Sequence, residues 1–108
     1  MKRVGRSAVV ALTVVAALSA TSVAQSAADT YKAKCASCHA ADGTGNTPIG
    51  KKLAVKDLNA GEEAKRSDEE FFNATKKGKG KMPAYENKIS DDDIKALVKY
   101  IRSMGKRK

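Results

Sequence analysis

Both cysteines and the single histidine of this 108-residue chain fall within five residues, Cys35-Ala36-Ser37-Cys38-His39. These types at this spacing form a C-x-x-C-H site for covalent attachment of haem. Two cysteines three apart on a helical turn face the same way, so each sulfur can bond one vinyl group of a single porphyrin. His39, directly after the second cysteine, is then held under the ring, where an imidazole nitrogen can bind the iron. Other chemistries for a C-x-x-C pair lack partners here. Zinc usually takes four ligands and an iron–sulfur cluster four cysteines, and neither set can be completed. A redox dithiol expects a βαβ setting, and no strand-rich pattern occurs. A plain disulfide is the alternative left open.

With this motif the chain resembles the class I c-type cytochromes. The resemblance spans residues 29–104 and implies one covalently bound haem c, with Cys35 and Cys38 bonded to the porphyrin and His39 on the iron. The expected fold is all-α, the cytochrome c fold, with three to four short helices wrapped around the haem. In the family the sixth iron ligand comes from a Met-Pro loop downstream of the motif, and Met82-Pro83 in Lys79-Gly80-Lys81-Met82-Pro83-Ala84-Tyr85 matches it. The alternative for Met82 is a loop methionine that only packs on the ring. Met104 lies near an apolar helical stripe and reads as core filler. The family also places a proline after the motif whose carbonyl holds the far nitrogen of the histidine. Pro48 matches by position, with a simple turn proline as the alternative.

The elements that must position these groups follow from caps and periodicity. Ser26 and Asp29 suggest a capping-box start to a helix from Asp29 through Cys38, with Tyr31 one turn before Cys35 as a core residue. Residues 40–46 are a glycine-rich turn segment without a phosphate-binding pattern. Ile49, Leu53, Val55 and Leu58 are expected to wall the ring. Ser67 caps a helix that runs to about Lys77 and stops at Gly78, with Phe71 and Phe72 on its buried side. Ser90 caps a last helix whose Asp91, Asp92 and Asp93 suit the positive end of the helix dipole. Ile94, Leu97, Val98 and Ile101 form its apolar stripe, and Gly105 is its expected stop. No alternating apolar pattern long enough for a sheet is present.

Residues 1–24 read as a secretory signal peptide: basic Lys2, Arg3 and Arg6, an apolar stretch from Ala8 to Leu18, then Ser22-Val23-Ala24 as a small-x-small cleavage site. Cleavage after Ala28 is the second choice, and an uncleaved anchor the third, because no charge occurs from Ser7 to Ala28. Cleavage after Ala24 leaves residues 25–108 as one cytochrome c domain, with no stable membrane insertion. Export places it in a periplasm, where the family attaches its haem. So short a chain has a marginal core without a buried porphyrin, and the haem-free form is expected to fold poorly.

The full chain carries a net charge of +9, of which the three basic residues of the signal segment supply three. A basic mature surface points to an acidic redox protein as partner; no nucleic-acid motif is present. Lys76, Lys77, Lys79 and Lys81 crowd the approach to Met82 and are candidates to ring the exit point of an electron. The sequence thus reads as an exported, monomeric single-electron shuttle with no catalytic residue. A dedicated electron-transfer subunit of a larger dehydrogenase or oxidase complex is the alternative. A five-coordinate haem sensor or enzyme is the more distant one.

Overall fold

A computed structural model describes residues 25–106; the expected signal peptide lies outside the described residues. The described chain opens in helix α1, residues 25–34, and after one turn residue, Cys35, continues as α2 (Ala36–His39). Then come α3 (Pro48–Lys52), α4 (Gly61–Ala64), α5 (Asp68–Lys77) and α6 (Asp91–Lys106). Among the described residues there is no strand, only an isolated antiparallel bridge between Lys79 and Met82. The all-α expectation holds, with three of the six described helices reduced to about a turn.

Helix ends follow the chain's own capping chemistry. Ser67 accepts from the Glu70 N–H, and Gly78, at φ 79°, ends α5. Ser90 Oγ accepts from the Asp93 N–H at the start of α6. Two boundaries differ from expectation. Ser26 is already helical, and its neighbour Ala27 lies in the core at 6 % exposure. Gly105 does not stop α6, which runs on through Lys106. Its role is close approach: a Cβ there would come within 3.1 Å of the Asn59 side chain, which donates to the Ile101 carbonyl.

The core is built where α1 and α6 meet. Tyr31, Ile94 and Leu97 are buried almost completely, joined by Ile89 and Met104. Tyr31 packs on Tyr100 with ring centroids 5.4 Å apart, and its hydroxyl donates to the Ala40 carbonyl at 2.6 Å. That bond latches the C-terminal end of α2, where Ala40 takes a φ of 67° that side chains rarely adopt. α5 packs on α6, and α2 on α3.

The α2–α3 contact depends on a bare backbone. Thr47 Oγ1 accepts from the Gly50 N–H at 2.8 Å and donates to the Ser37 carbonyl at 2.7 Å, binding the start of α3 to α2. A Cβ on Gly50 would collide with the carbonyl oxygens of both Cys38 and Gly45. Gly50→Ala is therefore expected to push α3 off the cysteine motif and to cost about 3 kcal/mol, at the upper end for overpacking. Thermal unfolding followed by circular dichroism measures it, and an unchanged midpoint would show the contact to be loose.

Candidate haem site

The turn from α1 into α2 sets three functional side chains. The Cys35 N–H donates to the Tyr31 carbonyl at 2.9 Å and the His39 N–H to the Cys35 carbonyl at 3.0 Å, so the helical path is kept through the motif. Cys35 and Cys38 are thiols with no disulfide between them. Burial pushes the Cys35 thiol up to about 11, partly opposed by Lys34, so it is protonated at neutral pH. Burial lowers the pKa of His39, with Glu63 opposing, which favours the neutral imidazole a metal ligand must be.

Met82 comes from the segment between α5 and α6, which is tied down on several sides. Lys79 and Met82 exchange both backbone hydrogen bonds, at 3.0 and 3.1 Å, around Gly80 at φ 58°. A Cβ on Gly78 would stand 2.8 Å from the Met82 carbonyl. The N–H groups of Tyr85 and Glu86 donate back to the Thr75 and Lys76 carbonyls. The Tyr85 hydroxyl donates to the Lys34 carbonyl at 3.2 Å, fastening the segment to α1. Met82 is thus held by backbone contacts that do not involve its own side chain.

Between these two pieces lies a cleft of two adjoining cavities, of about 480 and 280 Å³. Both are lined by Cys35, His39, Met82, Leu58, Glu63 and Lys79. The larger runs inward along Tyr31, Phe71, Leu97 and Ile101; the smaller reaches Cys38, Leu53, Val55, Pro83 and Tyr85. Of the expected apolar wall, Leu53, Val55 and Leu58 are on the cleft, whereas Ile49 is 49 % exposed and lines neither cavity.

The residues present fit a haem. The cleft has largely apolar walls, both cysteine side chains open onto it, and an imidazole and a thioether share it. His39 Nδ1 is buried with no hydrogen-bond partner among the described residues. Pro48 is exposed at the first position of α3, where its missing N–H costs nothing, and its carbonyl makes no bond to that nitrogen here.

Residues outside the motif also shape the cleft. Glu63 and Arg66 line it as an ion pair at 3.0 Å, with the acid only 19 % exposed. An i,i+3 acid–base pair in a polar stretch reads from sequence as a solvated surface, and only the packing of this stretch turns it inward. Tyr85 lines the smaller cavity, and burial raises its pKa. The four lysines before Met82 separate into two kinds. Lys76 pairs with Asp91 at 3.1 Å and Lys77 with Glu86 at 2.7 Å. Lys79 and Lys81 instead line the smaller cavity, where Lys34 and Lys56 join them.

An all-α chain folded around such a cleft, with C-x-x-C-H on its wall, defines a c-type cytochrome. Comparison with known proteins agrees. The family model described as "Cytochrome C oxidase, cbb3-type, subunit III" matches residues 22–101. Cytochrome c6 of Bryopsis maxima is 31 % identical over 74 residues, covering 68 % of this chain and 83 % of that protein. Cytochrome c6 of Leptolyngbya boryana is 35 % identical over 71 residues, covering 66 % and 80 %. The solved structure of the c-type cytochrome KustC0563 superposes with a TM-score of 0.65 at 29 % identity, over 71 % of this chain and 94 % of that one. The chain belongs to the class I monohaem c-type cytochromes, electron-transfer proteins that carry covalent haem c and its iron. No described helix is long and apolar enough to cross a membrane.

Proposed function

We propose that this chain is an exported, periplasmic carrier of single electrons in which Cys35 and Cys38 would hold the porphyrin and His39 and Met82 would ligate its iron. The observation that carries this reading is the cleft itself: His39 and Met82, 43 positions apart in the sequence, line the same two cavities with Cys35. Haem supplies the one-electron iron couple. The thioether of Met82 is a soft ligand that favours reduced iron and raises the potential. With Met82 bound as well as His39, the iron would be closed to oxygen and peroxide, so electrons would pass and no substrate would be transformed. Pro48 is proposed to turn its carbonyl to His39 Nδ1, the buried nitrogen that lacks a partner. Optical spectra test the ligand set. A low-spin oxidised form with the methionine–iron charge-transfer band, and a reduced form unresponsive to carbon monoxide, are expected. A high-spin spectrum that shifts with the gas would overturn it in favour of a sensor or enzyme.

The partner is proposed to be an acidic redox protein that meets the mouth of the smaller cavity. Lys34, Lys56, Lys79 and Lys81 gather there, and among the described residues none of them pairs with a carboxylate. Long-range attraction to an acidic face speeds encounter and weakens as salt screens it. With an acidic electron acceptor, Lys79→Glu and Lys81→Glu are expected to lower the second-order transfer rate by about tenfold at low salt, within the range that steering supplies. Lys77→Glu, the same change of charge, should lower the rate less, because Lys77 lines the larger cavity and not the mouth of the smaller one. Stopped-flow rates across an ionic-strength series decide it; equal effects at 77, 79 and 81 would remove the distinction.

A fixed subunit of an oxidase is the second reading, supported by the subunit III description of the matching family model. Stable co-purification with another chain would favour it, and a free monomer the shuttle.

A further inference from the structure

One cation on the wall of the larger cavity is held from several sides. Arg66 Nε donates to Glu63 Oε2 at 3.0 Å, and Nη1 donates to Glu70 Oε2 at 3.4 Å. Its backbone carbonyl accepts from Arg102 Nη2. Arg102 also donates to the Ala64 carbonyl and to Asp68, and lies over the Phe71 ring, so α6 fixes the corner from which Arg66 projects. Among the described residues Arg66 Nη2 donates to nothing. A planar fork with its direction already set and donors to spare, facing an apolar cleft, suits a carboxylate.

Haem brings two carboxylates of its own, the propionates, on the porphyrin edge away from the vinyl groups. Moving an ionised carboxylate against apolar walls costs its hydration unless a cation and hydrogen bonds replace it. Cys38 lines only the smaller cavity and Arg66 only the larger, with Cys35 on both, so it is the Cys38 tether that stands on the far side of the cleft from Arg66. We propose that Arg66 is the counter-cation of one haem propionate, with Glu63 and Arg102 as positioning residues. Glu70 makes the longer contact, and its side chain is 55 % exposed, so it is the partner the propionate displaces or joins. The inference rests on covalent haem and not on the ligation of Met82.

The test compares Arg66→Gln and Arg66→Lys with Lys65→Gln in the haem-loaded protein, with the propionate carboxyl carbons isotopically labelled. Lys65 is the adjacent cation, but its side chain is 75 % exposed and pairs with Glu62. Redox-difference infrared spectra read the labelled carboxylates, and potentiometry reads the iron. Removing a cation near the ring favours the oxidised state. Arg66→Gln is therefore expected to move the labelled bands and shift the oxidised-to-reduced ratio by up to about tenfold, which is about 59 mV for one electron. Arg66→Lys should keep most of the potential yet still move the bands, because a point charge cannot reproduce the fork. Lys65→Gln should leave both readouts in place. Unmoved labelled bands in both Arg66 variants, or an equal potential shift in Lys65→Gln, would overturn the assignment. So would a lower melting temperature with both readouts unmoved, which would make Arg66 structural. If Arg66→Gln does not fold, the band position in Arg66→Lys decides alone. A reduced iron that binds carbon monoxide would count against Met82 as ligand and leave the band test intact.

Discussion

Replacing Met82 with alanine is expected to lower the reduction potential by on the order of 0.1 V or more, a fraction of the ~0.8 V over which axial ligands move haem potentials. It should also open the reduced iron to carbon monoxide. The loop will survive the substitution. Its shape is kept by the Lys79–Met82 backbone pair and by the bonds of Tyr85 and Glu86 to Thr75 and Lys76. Loss of the thioether therefore separates from loss of fold. Met104 supplies the contrast. It is 4 % exposed in the core, and Met104→Leu conserves volume, so it should cost less than about 1.5 kcal/mol and leave potential and gas response alone. Potentiometry and carbon monoxide difference spectra on the two variants check the assignment. Unchanged values in Met82→Ala would remove Met82 from the iron.

The second large effect concerns the fold. Cys35→Ala/Cys38→Ala, expressed under conditions that load haem, is expected to lose the covalent group and its cooperative thermal transition. Without the haem, the apolar walls of a cleft of about 480 Å³ are left uncovered, in a domain whose whole stability is about 5–15 kcal/mol. Because the cleft is open, water relieves the cavity but leaves Tyr31, Phe71, Leu97 and Ile101 facing it. The tethers are what keep those walls dry. Differential scanning calorimetry on the colourless variant measures this, and a sharp transition near that of the holoprotein would show that the polypeptide folds without its haem.

Local signals in this chain were legible wherever one residue type answers one local need. Ser67 and Ser90 cap their helices as their neighbours predict, and Gly78 ends α5 because only a left-handed backbone continues into the loop. Boundaries were misjudged where tertiary contact outweighed the local cue. Ser26 is a good cap by type, yet it lies within the helix beside the buried Ala27. Gly105 is a good stop by type, but Asn59 lies against it and α6 continues.

The sequence by itself determined the cofactor chemistry, because Cys35, Cys38 and His39 fall within five residues and a single helical turn suffices to aim them. It also determined the helical class, through short-range periodicity and caps. Only the tertiary structure decided which distant side chains share the cleft. The inward turn of Glu63 and Arg66 depends on Arg102 gripping their corner from across the core. The division of the lysines depends on which of them reach Asp91 and Glu86. Such pairings join residues with no local coupling along the chain, so they exist only once the helices have packed.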